Sequence, residues 1–248
     1  MNLWRVEWLR LVRTRRWIAL AGVFLFFGLL GPFTARYMDV LLGRLAGEIE
    51  VRLPPPTPAD GIAQYMQNAS QIGLLVVLAL AASALAFDAR PEHAAFYRTR
   101  VSGAWRLLLP RFSVMAAAAA AAFALGAAGA WYESVILLGP LPVGGTLAGI
   151  AYGCVYVAFA VGVTALAAAI VRSPLGAIVV SAVLLLALPL LSLITGLRGW
   201  LPSHLLGAAV DLARGGEPAA YLRATAVTLV AVAVILPLSA RLLDRREI

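Results

Sequence analysis

The stretch FDARPEHAAFYRTRVSGAWRLLLPRF, Phe87 to Phe112, gathers chemistry-bearing side chains between two long apolar runs. Asp88, Arg90, Glu92, Phe96, Tyr97, Arg98 and Arg100 place charges of both signs around two aromatic rings. Aromatic residues flanked by arginine suit a protein contact, where such residues dominate the binding energy. A second polar group, Gln64, Gln67, Asn68 and Gln71, recurs at helical spacing. These amides either line a path for a solute or face water at a membrane surface, and spacing alone leaves both readings open. Tyr152 and Tyr156, one helical turn apart, either line a cavity or hydrogen-bond a neighbouring helix.

Other chemistries lack their residues. A P-loop ATPase holds phosphates with the lysine after its glycine-rich loop, and all 20 basic residues here are arginine. Metal sites need clustered ligands, whereas His93 and His204 are expected on opposite sides of a membrane. No G-x-S-x-G elbow is present. Ion-coupled carriers keep an acid deep in a span, but Asp39, Asp60, Glu133 and Asp211 fall at or beyond the expected span ends. The expectation is a chain with no catalytic residue, no metal site and no cofactor of its own. If it transports, its energy comes from a partner.

The elements that must position these residues are membrane helices. Hydrophobic residues make up 62% of the chain and charged ones 13%, about half the charged share of a soluble domain, and the mean hydropathy is +0.90. Six runs approach or exceed the roughly 20 apolar residues a span requires: Trp17–Tyr37, Ala69–Phe87, Leu107–Trp131, Gly144–Val171, Leu175–Leu197 and Tyr221–Leu243. The first has too long an apolar core, and no A-x-A site after it, for a cleaved signal peptide. Cys154 is the single cysteine, so no intrachain disulfide forms.

Arginine distribution sets the orientation. With the N-terminus inside, 14 arginines (Arg5, Arg10, Arg13, Arg15, Arg16, Arg90, Arg98, Arg100, Arg106, Arg111, Arg172, Arg241, Arg245, Arg246) are cytoplasmic, and 6 (Arg36, Arg44, Arg52, Arg198, Arg214, Arg223) are outside. The positive-inside rule puts both termini and the charged island in the cytoplasm. The pI near 10.5 then reports topology, and no nucleic-acid partner is expected.

A single transmembrane domain over residues 1–248 is expected, with four non-spanning parts. Residues 1–16 read as an interfacial helix with Trp4, Arg5 and Trp8 at the headgroups and Leu3, Val6, Leu9 and Val12 at helical spacing. Residues 38–66 form an outer loop, with an amphipathic stretch through Leu41, Leu42, Leu45 and Ile49 and then an extended run at Pro54–Pro58. Residues 88–106 form the cytoplasmic loop. Residues 198–220 form a second outer loop, whose short helix opens at Pro202–Ser203 and closes at Gly215–Gly216 as a re-entrant or interfacial element. Gly145, Gly149 and Gly153 make a small-residue stripe for close helix contact, within the chain or between two copies. Pro189 and Pro237 are expected to kink or weaken the fifth and sixth spans.

This arrangement resembles the permease subunit of type-two ABC exporters. That family has an amphipathic cytoplasmic start, six spans and a patterned loop between the second and third. The loop there runs from acidic residues through Gly-Thr, an apolar turn and Pro-Val-Ser-Arg to a basic residue entering the third span. Here Asp88 and Glu92 match the acids, Ala95–Tyr97 the apolar turn, Arg100–Gly103 the Pro-Val-Ser-Arg piece and Arg111 the basic residue. Pro91, Glu92 and His93 stand where Gly-Thr is usual, and Arg100 replaces proline.

The resemblance implies an all-α integral membrane protein with a coupling helix in that loop. It implies two copies of an ABC ATPase subunit carrying ATP and magnesium, a second permease copy or paralogue, and the surrounding lipids as partners. Asp88, Arg90, Glu92, Phe96, Tyr97, Arg98 and Arg100 would form the ATPase contact, in a bacterial inner membrane. The competing expectation is a membrane scaffold that recruits a cytoplasmic protein through the same loop without moving a solute.

Overall fold

A computed structural model describes residues 3–45, 55–86, 103–194 and 196–245. The seven residues expected to contact an ATPase all lie outside the described residues. What is described is helical, with no strand. Its α-helices are α1 (Leu3–Arg13), α2 (Arg16–Leu45), α3 (Pro58–Asn68), α4 (Leu74–Leu85), α5 (Trp105–Leu137), α6 (Val143–Ile170), α7 (Pro174–Leu191), α8 (Leu205–Ala213) and α9 (Leu222–Asp244). A π-helical turn, Ala69–Gly73, joins α3 to α4.

Six helical segments are long and apolar enough to cross a membrane. The protein is a multi-pass membrane protein of helical construction, the form in which every backbone polar group is satisfied without water. Four of its buried hydroxyls follow the same logic. Thr164, Ser181, Thr228 and Ser239 each donate to the carbonyl four residues earlier in their own helix, so they need no partner across an apolar interface.

Helix α6 is the central element, contacting α4, α5, α7, α8 and α9. It is 72% buried over its most apolar window, against 17% for α7, so α7 is peripheral. The tightest seam joins α2 to α5. A Cβ on Gly28 would run into the carbonyl oxygen of Gly126, and one on Gly126 into that of Phe24. Backbone meets backbone there, as small residues permit. Beside the seam Phe24 meets Phe123 edge-on, with centroids 5.9 Å apart, and buried Tyr65 donates its hydroxyl to the Phe123 carbonyl at 2.7 Å.

Several boundaries differ from expectation. The second span starts at Pro58, not Ala69. Thr57 and Asp60 explain this: the Asp60 carboxylate accepts from the Thr57 backbone N–H at 2.8 Å, and Pro58 occupies the first helical position, where its missing donor costs nothing. The 38–66 loop is therefore helical over 38–45 and 58–66, and Leu41, Leu42 and Leu45 lie on the continuing α2. The third span runs from Trp105 to Leu137, so residues 105–106 belong to it rather than to the loop. The fifth ends at Leu191, two residues beyond Pro189, and the apolar run to Leu197 leaves the helix. Helix α9 continues through Pro237 to Asp244.

The expected helix in 198–220 is α8. It ends in a Schellman motif, with Gly215 at φ 91° and the Gly216 N–H on the Asp211 carbonyl at 3.0 Å. With nine residues it reaches about 14 Å and cannot cross. It packs instead on α6, where Gly149 admits Ala209 and Gly145 admits the Leu212 carbonyl, while Gly153 receives the Phe123 ring of α5. The glycine stripe is thus occupied within the chain.

Candidate functional site

One end of the bundle, here the base, carries α1, the start of α5 and the end of α9. Helix α1 turns into α2 through Thr14 and Arg15, and Arg15 adopts φ 55°, a conformation uncommon for a non-glycine residue. The elbow lays α1 against α5 and α2. Leu11 is buried there. Beside it Glu7 accepts from Arg111 Nε at 2.9 Å, with the arginine side chain 1% exposed and the glutamate 13%. Across the base, Asp244 accepts from the Ala104 backbone N–H at 2.8 Å, tying the end of α9 to the start of α5.

The face of α1 turned away from the protein holds Trp4, Trp8, Leu9 and Val12, 38–54% exposed, with Arg5 and Arg13 among them. Of the expected apolar stripe, Val6, Leu9 and Val12 are exposed; the side turned to the bundle runs through Leu3, Glu7 and Leu11. Trp17 and Trp105 are exposed at the same level, as in the aromatic belts of membrane interfaces.

The second feature is a lateral pocket of about 330 Å³ among α4, α6, α7 and α8, within the size range of small-molecule sites. Its polar groups come from Ser70, Gln71 and Tyr156, and its apolar wall includes Leu74, Leu78, Ala182, Leu185 and Pro189. The π turn places Ser70 and Gln71 at the rim, and such bulges occur often at functional sites. Of the five residues expected along a pathway, Gln71 and Tyr156 meet here; Gln64 and Gln67 lie on α3, outside the lining.

Tyr152 serves a structural contact. Its hydroxyl donates to the Pro218 carbonyl at 2.8 Å, and its ring lies 5.5 Å from that of Tyr221. Tyr221 in turn stacks on His204 at 4.7 Å and donates to Asp211 at 3.1 Å. Burial, with Arg198 second, lowers the His204 pKa below its ordinary value, partly opposed by Asp211. Among the described residues no three His, Cys, Asp or Glu side chains converge as metal ligands.

Sequence reasoning had placed Arg111 at the entrance of the third span but missed its partner. The signal was Glu7, an isolated acid between Arg5 and Arg10 on a basic helix. Nothing local marks Ala182, Leu185 or Pro189 as pocket residues, because a wall leucine and a lipid-facing leucine read alike.

The class defined by this fold is therefore a six-span helical membrane protein with a docked N-terminal helix and a lateral pocket. No family, no curated protein and no solved structure matches the chain.

Proposed function

We propose that this chain is the permease subunit of an ATP-binding-cassette exporter. In this reading it forms the translocation path and draws its energy from separate ATPase subunits docked on the 88–106 loop. The observation that carries the proposal is the clamp at the base. Glu7 of the amphipathic N-terminal helix grips Arg111, in the helix that begins where the loop re-enters the bundle. A load applied to that loop reaches α1 and α5 together. The lateral pocket with Gln71 and Tyr156 favours transport over the scaffold reading, since a scaffold needs no cavity of ligand size.

The working unit would hold two permeases, identical or paralogous, and two ATPases that bind ATP and magnesium. Among the described arginines, Arg5, Arg10, Arg13, Arg15, Arg16, Arg106, Arg111, Arg172, Arg241 and Arg245 lie at the base, against Arg36, Arg44, Arg198, Arg214 and Arg223 at the other end. That bias supports a cytoplasmic base and cytoplasmic termini in a bacterial inner membrane.

The test is affinity purification from the native membrane with mass spectrometry, on the natural chain and on a Phe96→Ala, Arg98→Glu variant. A near-stoichiometric P-loop ATPase that the variant loses supports the proposal. A chain that elutes alone, or with a non-ATPase partner, overturns it in favour of a scaffold.

A further inference from the structure

The cleft beneath α1 is lined by Glu7, Arg10, Leu11 and Arg16, with Arg111 and Met115 of α5 behind them. Three arginines thus surround one carboxylate. Glu7 is committed through Oε1 to Arg111 at 2.9 Å, and its other oxygen lies 3.8 Å from Arg10. Arg16, half-buried, has no ion-pair partner among the described residues. Two half-exposed guanidinium groups therefore share the mouth of a cleft whose one acid, among the described residues, is already engaged by Arg111.

The depth of this cleft identifies the counter-ion. Arg16 is the first residue of the first span, and Trp4, Trp8 and Trp17 are exposed around it, side chains that settle at headgroup level. Helix α5 has 33 residues, about 50 Å, against a hydrocarbon core of about 30 Å, and exposed Trp105 sets its first turn, one to two turns before Arg111, at headgroup level. Basic pockets between helices at this level suit lipid phosphates, and arginine forks match phosphate geometry.

We propose that the mouth of this cleft binds the phosphate of an anionic phospholipid between Arg10 and Arg16, with the acyl chains beside the exposed apolar face of α1. The site rests on the six-span architecture and not on the exporter reading, so it stands or falls separately. The bound headgroup offsets part of the positive charge that Glu7 leaves unbalanced and fastens α1 to the bundle from the lipid side.

The experiment uses the full chain in nanodiscs of phosphatidylcholine with one part in ten phosphatidylglycerol, followed by delipidation in detergent at 1 M salt. At that ionic strength the screening length is about 3 Å, so diffuse attraction to basic helices is removed and a seated phosphate survives. Mass spectrometry then counts retained phosphatidylglycerol. The expected result is about one molecule per chain, reduced at least tenfold by Arg10→Gln and by Arg16→Gln and unchanged by Arg13→Gln, which removes the same charge from the exposed face. Helicity and elution volume report folding, and if one cleft variant fails to fold the other decides. No preferential retention, or equal loss in Arg13→Gln, overturns the proposal.

Discussion

Replacing Glu7 tests how firmly the N-terminal helix is held. At 2.9 Å and an effective dielectric constant of about 20, the pair attracts by about 6 kcal/mol, offset by several kcal/mol of desolvation for an arginine this buried. The larger effect appears when one partner goes. Glu7→Gln preserves shape and removes the carboxylate that Arg111 Nε meets at 2.9 Å, and losing one partner of a buried pair costs about 3–5 kcal/mol. Helix α1 would then be held mainly by Leu11, whose full burial contributes about 1.5–3 kcal/mol. The expected consequence is release of α1 rather than unfolding of the bundle, with the docking constant falling about 100-fold or more. A thiol at position 11, in a Leu11→Cys, Cys154→Ala background, reads this directly as its rate of alkylation by N-ethylmaleimide. Adding Glu7→Gln should raise that rate about 100-fold, and Glu7→Leu with Arg111→Met should return it most of the way, because the buried charge goes together with its carboxylate. A rate within threefold of the parent in Glu7→Gln, or a double variant no better than the single one, refutes the clamp.

The α2–α5 seam makes a sharper packing prediction. Gly126→Ala drives a methyl group into the Phe24 carbonyl and should destabilise by about 1–3 kcal/mol, whereas Gly162→Ala meets neighbours no closer than 3.7 Å and should gain up to about 1 kcal/mol of helix propensity. Thermal unfolding followed by labelling of Cys154 separates them, and equal shifts refute the seam. Ala182→Trp fills the lateral pocket; it should abolish transport while leaving the co-purifying ATPase in place, and undiminished transport would exclude the pocket from the path.

The six spans were legible because each contains a long, largely apolar run whose composition fixes its state, as Val143–Ile170 and the middle of Leu222–Asp244 illustrate. Boundaries failed where a single polar contact decided them. Pro54–Pro58 reads as an extended run, yet Pro58 opens a helix because Asp60 caps back onto Thr57. The run to Leu197 reads as membrane, yet it turns after Pro189 because apolarity carries no information on backbone geometry. Of the proposed pathway, Gln71 and Tyr156 converge through the π turn, which shifts register by a residue in a way no periodicity reveals. Tyr152, read equally as cavity or contact, is a contact.

The same contacts constrain how a stroke on the loop would travel. Ala104, just before α5, is bonded to Asp244 at the end of α9, and Arg111 two turns on is bonded to Glu7. The base of α5 is thus tethered on both sides by carboxylates from opposite ends of the chain. Farther along, α5 meets α2 backbone to backbone at Gly126, where close packing leaves little room to slide. In the proposed exporter a displacement of the loop would therefore tilt α5 with α1, α2 and α9 as one body. Of the walls of the pocket, α7 is the least entrenched, with Leu175, Leu186 and Leu190 each at least 67% exposed. In the proposed exporter, relative motion would therefore concentrate at α7, the least constrained wall of the cavity.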